Sequence, residues 1–187
     1  MRAVVLQQYA VSLDGFSCAD DSEFQSFVFA LDDPALDEAF IDLLGRASTH
    51  VMGRVAYEGM SRHFPGLAGP VADAMNAVPK VVFSKSLASA DWPDSRVARG
   101  DLAEEIGALK SEGDGEILAH GGYRLAQSLV RQGLVDVIRL FVFPVALGHG
   151  TSIFAGVDRL TPYHLASSTP FPSGVVLQVL SRDRPLD

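Results

Sequence analysis

The chain has 187 residues, 48% hydrophobic and 20% charged, with a formal net charge of −8. That is the size of one domain, here read as a single domain over residues 1–187, with enough core to hold without disulfides or metal. The acidic balance argues against nucleic acid or an anionic membrane as the main partner, but leaves room for a local basic pocket that holds an anion.

A single cysteine, Cys18, rules out an intrachain disulfide and fits a reducing cytoplasm. No segment approaches the ~20 apolar residues of a membrane span. The N-terminal apolar run is too short for a signal peptide, so the expected location is cytoplasmic. The histidines, His50, His63, His120, His149 and His164, show no close pairing of the metal-ligand kind, so no metal site is expected.

Val4 to Val11 reads as a first strand, turned by Asp14-Gly15. Phe16 to Leu31 reads as an irregular excursion. Asp33-Pro34 then supplies an N-cap and a proline at the first helical position. The helix runs to about Ala47, with Leu36, Ala39, Phe40, Leu43 and Leu44 on one face. Thr49 to Met52 is a short strand, and Gly53-Arg54 opens a helix to about Arg62. A loop from Pro65 to Pro70 and a helical Val71 to Asn76 lead to a strand at Lys80 to Phe83. Asp101 caps a helix through Lys110. Ile117, Leu118 and Ala119 form a buried strand, followed by Gly121-Gly122 and a helix marked by Leu125, Ala126, Leu129 and Val130. Leu134 to Phe143 is a long apolar strand. Tyr163 to Ser168 and Val175 to Ser181 form a closing antiparallel pair.

Alternation of strands with helices predicts an α/β sheet, largely parallel, with antiparallel strands at the carboxyl end. Ligands of such sheets bind outside the carboxyl ends of the strands. Three junctions gather there: Met52-Gly53-Arg54, Phe83-Ser84-Lys85 and His120-Gly121-Gly122. The glycines let a ligand approach the backbone, and a helix N-terminus offers free N–H groups to an anion. Arg54 adds a guanidinium that forks onto phosphate, and Ser84 with Lys85 adds a hydroxyl and an ammonium. This set suits a dinucleotide with an extra ribose phosphate, so the inferred cofactor is NADPH rather than NADH. The plainer alternatives are ordinary tight turns and surface charge.

Five short motifs resemble a known family. Val51-Met-Gly-Arg-Val-Ala-Tyr-Glu58 looks like an element of dihydrofolate reductases. Ser12-Leu-Asp-Gly15 is similar to the opening of the reductase domain of bacterial riboflavin biosynthesis. Val82-Phe-Ser-Lys-Ser-Leu87, His120-Gly-Gly122 and Phe143-Pro-Val-Ala-Leu-Gly-His-Gly150 match in order and spacing. The chain is thus similar, over nearly its whole length, to stand-alone dihydrofolate reductase-like proteins that carry this domain without the deaminase domain. The resemblance implies a three-layer α/β sandwich with a mixed central sheet, NADPH as cofactor, and a homodimer. It places Gly53, Arg54 and Val55 against the cofactor phosphates and adenosine. Ser84 and Lys85 fall near the adenosine ribose and its phosphate. Gly121, Gly122 and Tyr123 cover the pyrophosphate, and Asp14 faces substrate at the nicotinamide end. Leu147 to Thr151 forms a glycine-rich loop at the active-site mouth.

The implied reaction is hydride transfer to a C=N or C=O carbon of a small heterocycle, pterin-like or ribosylamino-pyrimidine-like. Asp14 is the candidate proton donor or relay; its other reading is a turn aspartate bonded to its own backbone. His149, between two glycines, is a second candidate, against a plain exposed loop histidine, and His120 reads as structural. The chain departs from the family at Ser22-Glu-Phe-Gln-Ser-Phe27, where riboflavin reductases carry a Ser-x-Trp-Ile element, and the acidic Asp20, Asp21 and Glu23 would repel a phosphate. A module that binds nucleotide or pterin without turnover, or senses NADPH, remains the alternative.

Overall fold

The computed structural model describes residues 1–17, 21–120 and 122–182. Cys18, Asp20 and Gly121, all considered above, lie outside the described residues.

The first strand, β1 (Val4–Val11), is buried through Gln8. The segment expected to be irregular contains a helix, α1 (Ser22–Phe29). Asp21 caps it by accepting from the amides of Glu23 and Phe24, and Phe24 and Val28 point inward one turn apart. Phe27 and Phe29 lie on the exposed side, which blurs the period in the sequence. Helix α2 (Pro34–Gly45) starts as expected, with the Asp33 carboxylate accepting from Leu36 N. Strand β2 (Ala47–Gly53) runs straight into α3 (Arg54–His63), and α4 (Pro70–Ala77) precedes β3 (Lys80–Phe83).

A short strand, β4 (Ser95–Ala98), was not anticipated, because four residues, of which only Ala98 is buried, carry no readable alternation. Then come α5 (Leu102–Ser111), β5 (Glu116–His120), α6 (Tyr123–Arg131) and β6 (Val137–Val142). The last of these begins later than the apolar run, because Gly133 turns the chain at φ 68° and Asp136 is spent on the β1 amide of Val4. Strands β7 (His164–Pro170) and β8 (Val176–Ser181) close the chain.

All strands join one eight-stranded sheet in the order β4-β3-β2-β5-β1-β6-β8-β7. Pairing is parallel from β4 to β6 and antiparallel from β6 through β8 to β7. This is the mixed, mostly parallel sheet expected. Alternation along each strand sends side chains to two faces. Val4, Leu6, Ile117 and Ala119 pack under Ile106 and Leu109 of α5 and Leu125, Ala126 and Leu129 of α6. Val5, Met52, Val82 and Leu118 pack under Leu44 of α2, Tyr57 of α3 and Met75 of α4. Phe141, Phe143 and Leu177 extend that face under Phe24 and Val28 of α1. The result is three layers, helix–sheet–helix, with the carboxyl ends of the parallel strands opening on one edge.

Candidate functional site

A cleft of about 1400 Å³ runs along that edge. The strand order sets what each part of it meets. Ala98, Arg99, Gly100 and Asp101 follow β4, and Phe83, Ser84 and Lys85 follow β3. Gly53, Arg54 and Val55 follow β2, Gly122 and Tyr123 follow β5, and Gln8, Tyr9 and Ala10 come from β1 itself. Four strand spacings separate β4 from β1, roughly 19 Å at about 4.8 Å each. From the three sequence-predicted junctions, Gly53, Arg54, Phe83, Ser84, Lys85 and Gly122 therefore line a single cavity, while Met52 and His120 are buried and do not.

The helix starts differ in a way that matters. Helices α1, α2 and α5 are capped by Asp21, Asp33 and Asp101 and carry an acidic residue in the first turn. Helix α4 has a glycine N-cap but Asp73 in its first turn. Helices α3 and α6 have glycine N-caps, Gly53 and Gly122, no side-chain cap and no first-turn acid. Their positive ends stay uncompensated. They also converge: a Cβ built on Gly122 would lie 4.0 Å from Gly53 N and 3.5 Å from Ala56 Cβ. Gly122 holds φ at 74°, a backbone state that suits glycine.

Charge gathers at the same part of the cleft. Arg54, Lys85, Arg99 and Arg124 line it, against the carboxylate of Asp101, in a chain whose net charge is −8. The Arg54 guanidinium is half-exposed and pairs with Glu58 at 3.2 Å, one turn along α3. Arg99 reaches back to the carbonyls of Leu87 and Ala88 at 2.8 and 3.0 Å. Ser84 Oγ accepts from the amides of Ser86 and Leu87, closing the turn after β3. Arg99 escaped the sequence reading because it follows β4, the strand that was not seen. Val55 is 72% exposed and lines the cleft, an apolar side chain left for a ligand to cover.

The β1 end is different. Tyr9, Phe24, Val28 and Phe29 form its walls, with Gln8, Gln25 and Ser17 as polar groups. Gln8 Nε2 donates to Ser17 Oγ at 3.2 Å, and Ser17 Oγ donates to Ala10 O. Ala10 has φ 63°, unusual for a residue with a Cβ, at the point where the β1–β6 register shifts. Such strain costs on the order of 1–3 kcal/mol and is held by surrounding structure. It turns Tyr9 and Ala10 toward the cavity. Burial, with Asp37 and Asp33 nearby, pushes the Tyr9 hydroxyl up from its ordinary pKa, so it stays neutral. The signal in the sequence was Gln7-Gln8-Tyr9, polar groups inside a buried strand.

Asp14 is exposed and not among the residues that line the cleft. Its carboxylate accepts from Leu147 N at 3.2 Å and Gly148 N at 2.7 Å. The Ser12 hydroxyl and those two amides hold its pKa down at about 2. Ionised through the neutral range, Asp14 clamps the first turn to the glycine-rich loop. His149 bonds Leu147 O at 2.9 Å and Asp21 Oδ2 at 3.1 Å, tying that loop to the start of α1. His120, as expected, is structural: it is buried and shares a 2.8 Å hydrogen bond with His50. Among the described residues no cluster of side chains fits a metal ion, and no helix is long and apolar enough to cross a membrane.

The architecture has relatives. An uncharacterized Bacillus subtilis protein, YyaP, is 28% identical over 180 residues, covering 94% of this chain and 92% of its own. A putative riboflavin biosynthesis protein from Shewanella sp. PV-4 superposes with a TM-score of 0.78 at 21% identity, covering 97% of this chain and 99% of that one. Dihydrofolate reductase from Enterococcus faecalis, complexed with NADP(H), gives 0.64 at 15% identity, covering 96% and 95%. These likenesses establish the fold as that of dihydrofolate reductase and the riboflavin-type reductases. The RibD C-terminal domain profile matches residues 3–177, and on that match the chain belongs to the RibD C-terminal domain family.

Proposed function

We propose that this protein is an NADPH-dependent reductase that passes hydride to a C=N or C=O carbon of a small heterocycle. The observation that carries the reading is the convergence of two uncompensated helix N-termini, Gly53 and Gly122, beside Arg54, Lys85 and Arg99. Bare amides at such ends hold a pyrophosphate. The guanidinium and ammonium groups beyond them suit a separate ribose phosphate. The Enterococcus neighbour, solved with NADP(H), supports the same choice of cofactor.

The bound cofactor would supply the hydride. The protein's own residues bind and orient: Gly53, Val55, Gly122 and Tyr123 bring backbone and apolar surface to the nucleotide, and Arg54, Ser84 and Lys85 read its phosphate. The aromatic β1 end gives the acceptor flat apolar surface. No carboxylate lines that end among the described residues, and water is the proposed proton source.

The absence of a carboxylate there also favours a second reading, a module that binds the nucleotide without turnover. Acceptor-dependent oxidation of NADPH separates the two. Binding itself is read by fluorescence of Trp92, the sole tryptophan. It stacks on Phe64 at 6.1 Å and 15°, and Phe64 lines the cleft. Micromolar NADPH binding, with NADH much weaker, is expected; equal or absent binding of both would overturn the cofactor assignment. The proposal includes a cytoplasmic homodimer that meets through the exposed edge strand β7.

A further inference from the structure

The cleft is segregated by charge along the sheet edge. Its lining cations, Arg54, Lys85, Arg99 and Arg124, follow β2, β3, β4 and β5. The end built from β1 and α1 is lined, among the described residues, by aromatic and aliphatic side chains, two glutamine amides and two hydroxyls. The sequence explains why. Every charged residue from Ala3 to Gly45 is acidic, so β1, α1, α2 and the segments between them bring no cation to a substrate.

Three acids of that stretch are already committed. Asp14 holds the loop amides of Leu147 and Gly148, and Asp21 caps α1 and accepts from His149. Asp33 caps α2 and takes Ser173 N. A phosphate entering the β1 end would find no counter-ion and a field of carboxylates behind the wall, and desolvating it there is costly. Among the described residues no carboxylate lines that end, although Asp37 and Asp33 lie close enough to Tyr9 to raise its hydroxyl pKa. What the walls do offer is flat apolar surface. Phe29 is 81% exposed although it lines the cleft, and Phe24, Tyr9 and Val28 stand with it. The Gln8 and Gln25 amides and the Ser17 and Tyr9 hydroxyls are polar without charge.

We infer that the acceptor is a planar heterocycle without a phosphate group, held against the aromatic wall of α1 and β1 with the Gln8 amide at its edge. This rests on the reductase reading for the order of cofactor and acceptor along the cleft. Charged phosphoribosyl compounds are excluded by the same electrostatics that let the far end of the cleft bind phosphate.

The test separates the two layers. Trp92 fluorescence first measures NADPH binding alone; failure there sinks the reductase reading. Calorimetry on the protein saturated with NADP⁺ then compares two probes that differ only in a phosphate, riboflavin and riboflavin 5′-phosphate. Riboflavin is expected to bind at least tenfold tighter. The Gln25→Lys variant, which puts a cation on the α1 wall, should cut that preference several-fold by tightening the phosphorylated probe, with NADPH affinity unchanged. Equal or tighter binding of the phosphorylated probe by the native protein would overturn the inference. So would millimolar or absent binding of both probes to a protein that still binds NADPH.

Discussion

Arg54 and Asp14 show how much a single side chain's neighbours decide. Arg54 lies one turn from Glu58 and is half-exposed, so its pairing is weak and readily exchanged for a phosphate. Arg54→Ala is expected to weaken NADPH by one to two decades, roughly the 1.5–3 kcal/mol of a charge-assisted hydrogen bond, with a much smaller loss for NADH. Isothermal titration of both cofactors checks it, and equal losses would mean that Arg54 does not read the extra phosphate. Asp14 sits with its folded pKa at about 2, below the ordinary aspartate value near 4. Its contribution to the loop clamp is therefore complete above about pH 4 and is lost as pH falls toward about 2. Asp14→Ala is expected to speed hydrogen exchange at the amides of Leu147 and Gly148. Turnover should keep its pH profile, because the clamp donates no proton; a lost limb of that profile would restore Asp14 as the acid.

At the level of elements, the decisive unit is a strand that ends in glycine and hands over to an uncapped helix. Helix α6 begins at Gly122 with φ 74°. Gly122→Ala forces a Cβ into the left-handed region, costing about 1–2 kcal/mol, and sets that carbon 3.5 Å from Ala56 Cβ on α3. The expected outcome is a modest fall in Tm and a larger loss of NADPH affinity, since the two helix starts must part. Thermal melts with and without NADPH distinguish these: an unchanged ligand-induced shift in Tm would mean that α6 does not hold the cofactor. Helix α1 is the complementary case. Its helical period was obscured in the sequence because Phe27 and Phe29 break the apolar stripe outward. Phe29 lies off the buried face of α1 and in the cleft wall.

For the whole molecule, the sheet carries buried polar groups that respond to acid. His50 Nε2 faces the carbonyl of Ala74, an acceptor alone, at 3.3 Å, so that nitrogen carries the proton. His50 Nδ1 is then free to accept from His120 Nε2 at 2.8 Å. The neutral forms satisfy this chain. Burial pushes His50 down to about 4, and burial with the neighbouring His50 pushes His120 well below its ordinary value. Between these folded values and an unfolded value near 6.5, the unfolded chain binds more protons. The contribution is therefore present above about pH 6.5 and lost as pH falls toward about 4. Urea midpoints across that window are expected to drop with acid, and the His50→Gln, His120→Gln double variant should flatten the slope. A slope that survives would place the titration elsewhere. At the sheet's margin, β7 is exposed along its whole length, with Leu165 at 58%. An edge of unpaired backbone is open to strand pairing, and sedimentation of a Ser167→Pro variant should show monomer if β7 forms the proposed dimer seam.

The sequence by itself determined the class of fold and most of the strand-to-helix junctions. Period, N-caps such as Asp33 and Asp101, and the glycines after strands are local properties, written within a few residues of where they act. Strand β3 and the starts of α2 and α5 follow directly. Gly53, Arg54, Ser84, Lys85 and Gly122 were named from such signals, Val55 and Tyr123 from the family resemblance, and the structure brings all seven to one cleft. Only the tertiary structure decided what those residues meet. Arg99 joined the site because β4 pairs beside β3, and Asp14 became a clamp because a loop 133 and 134 residues away supplies its hydrogen bonds. The neutrality of the β1 end belongs to the same category. Sequence shows which charges exist in a segment; only packing across the sheet shows which of them face the ligand.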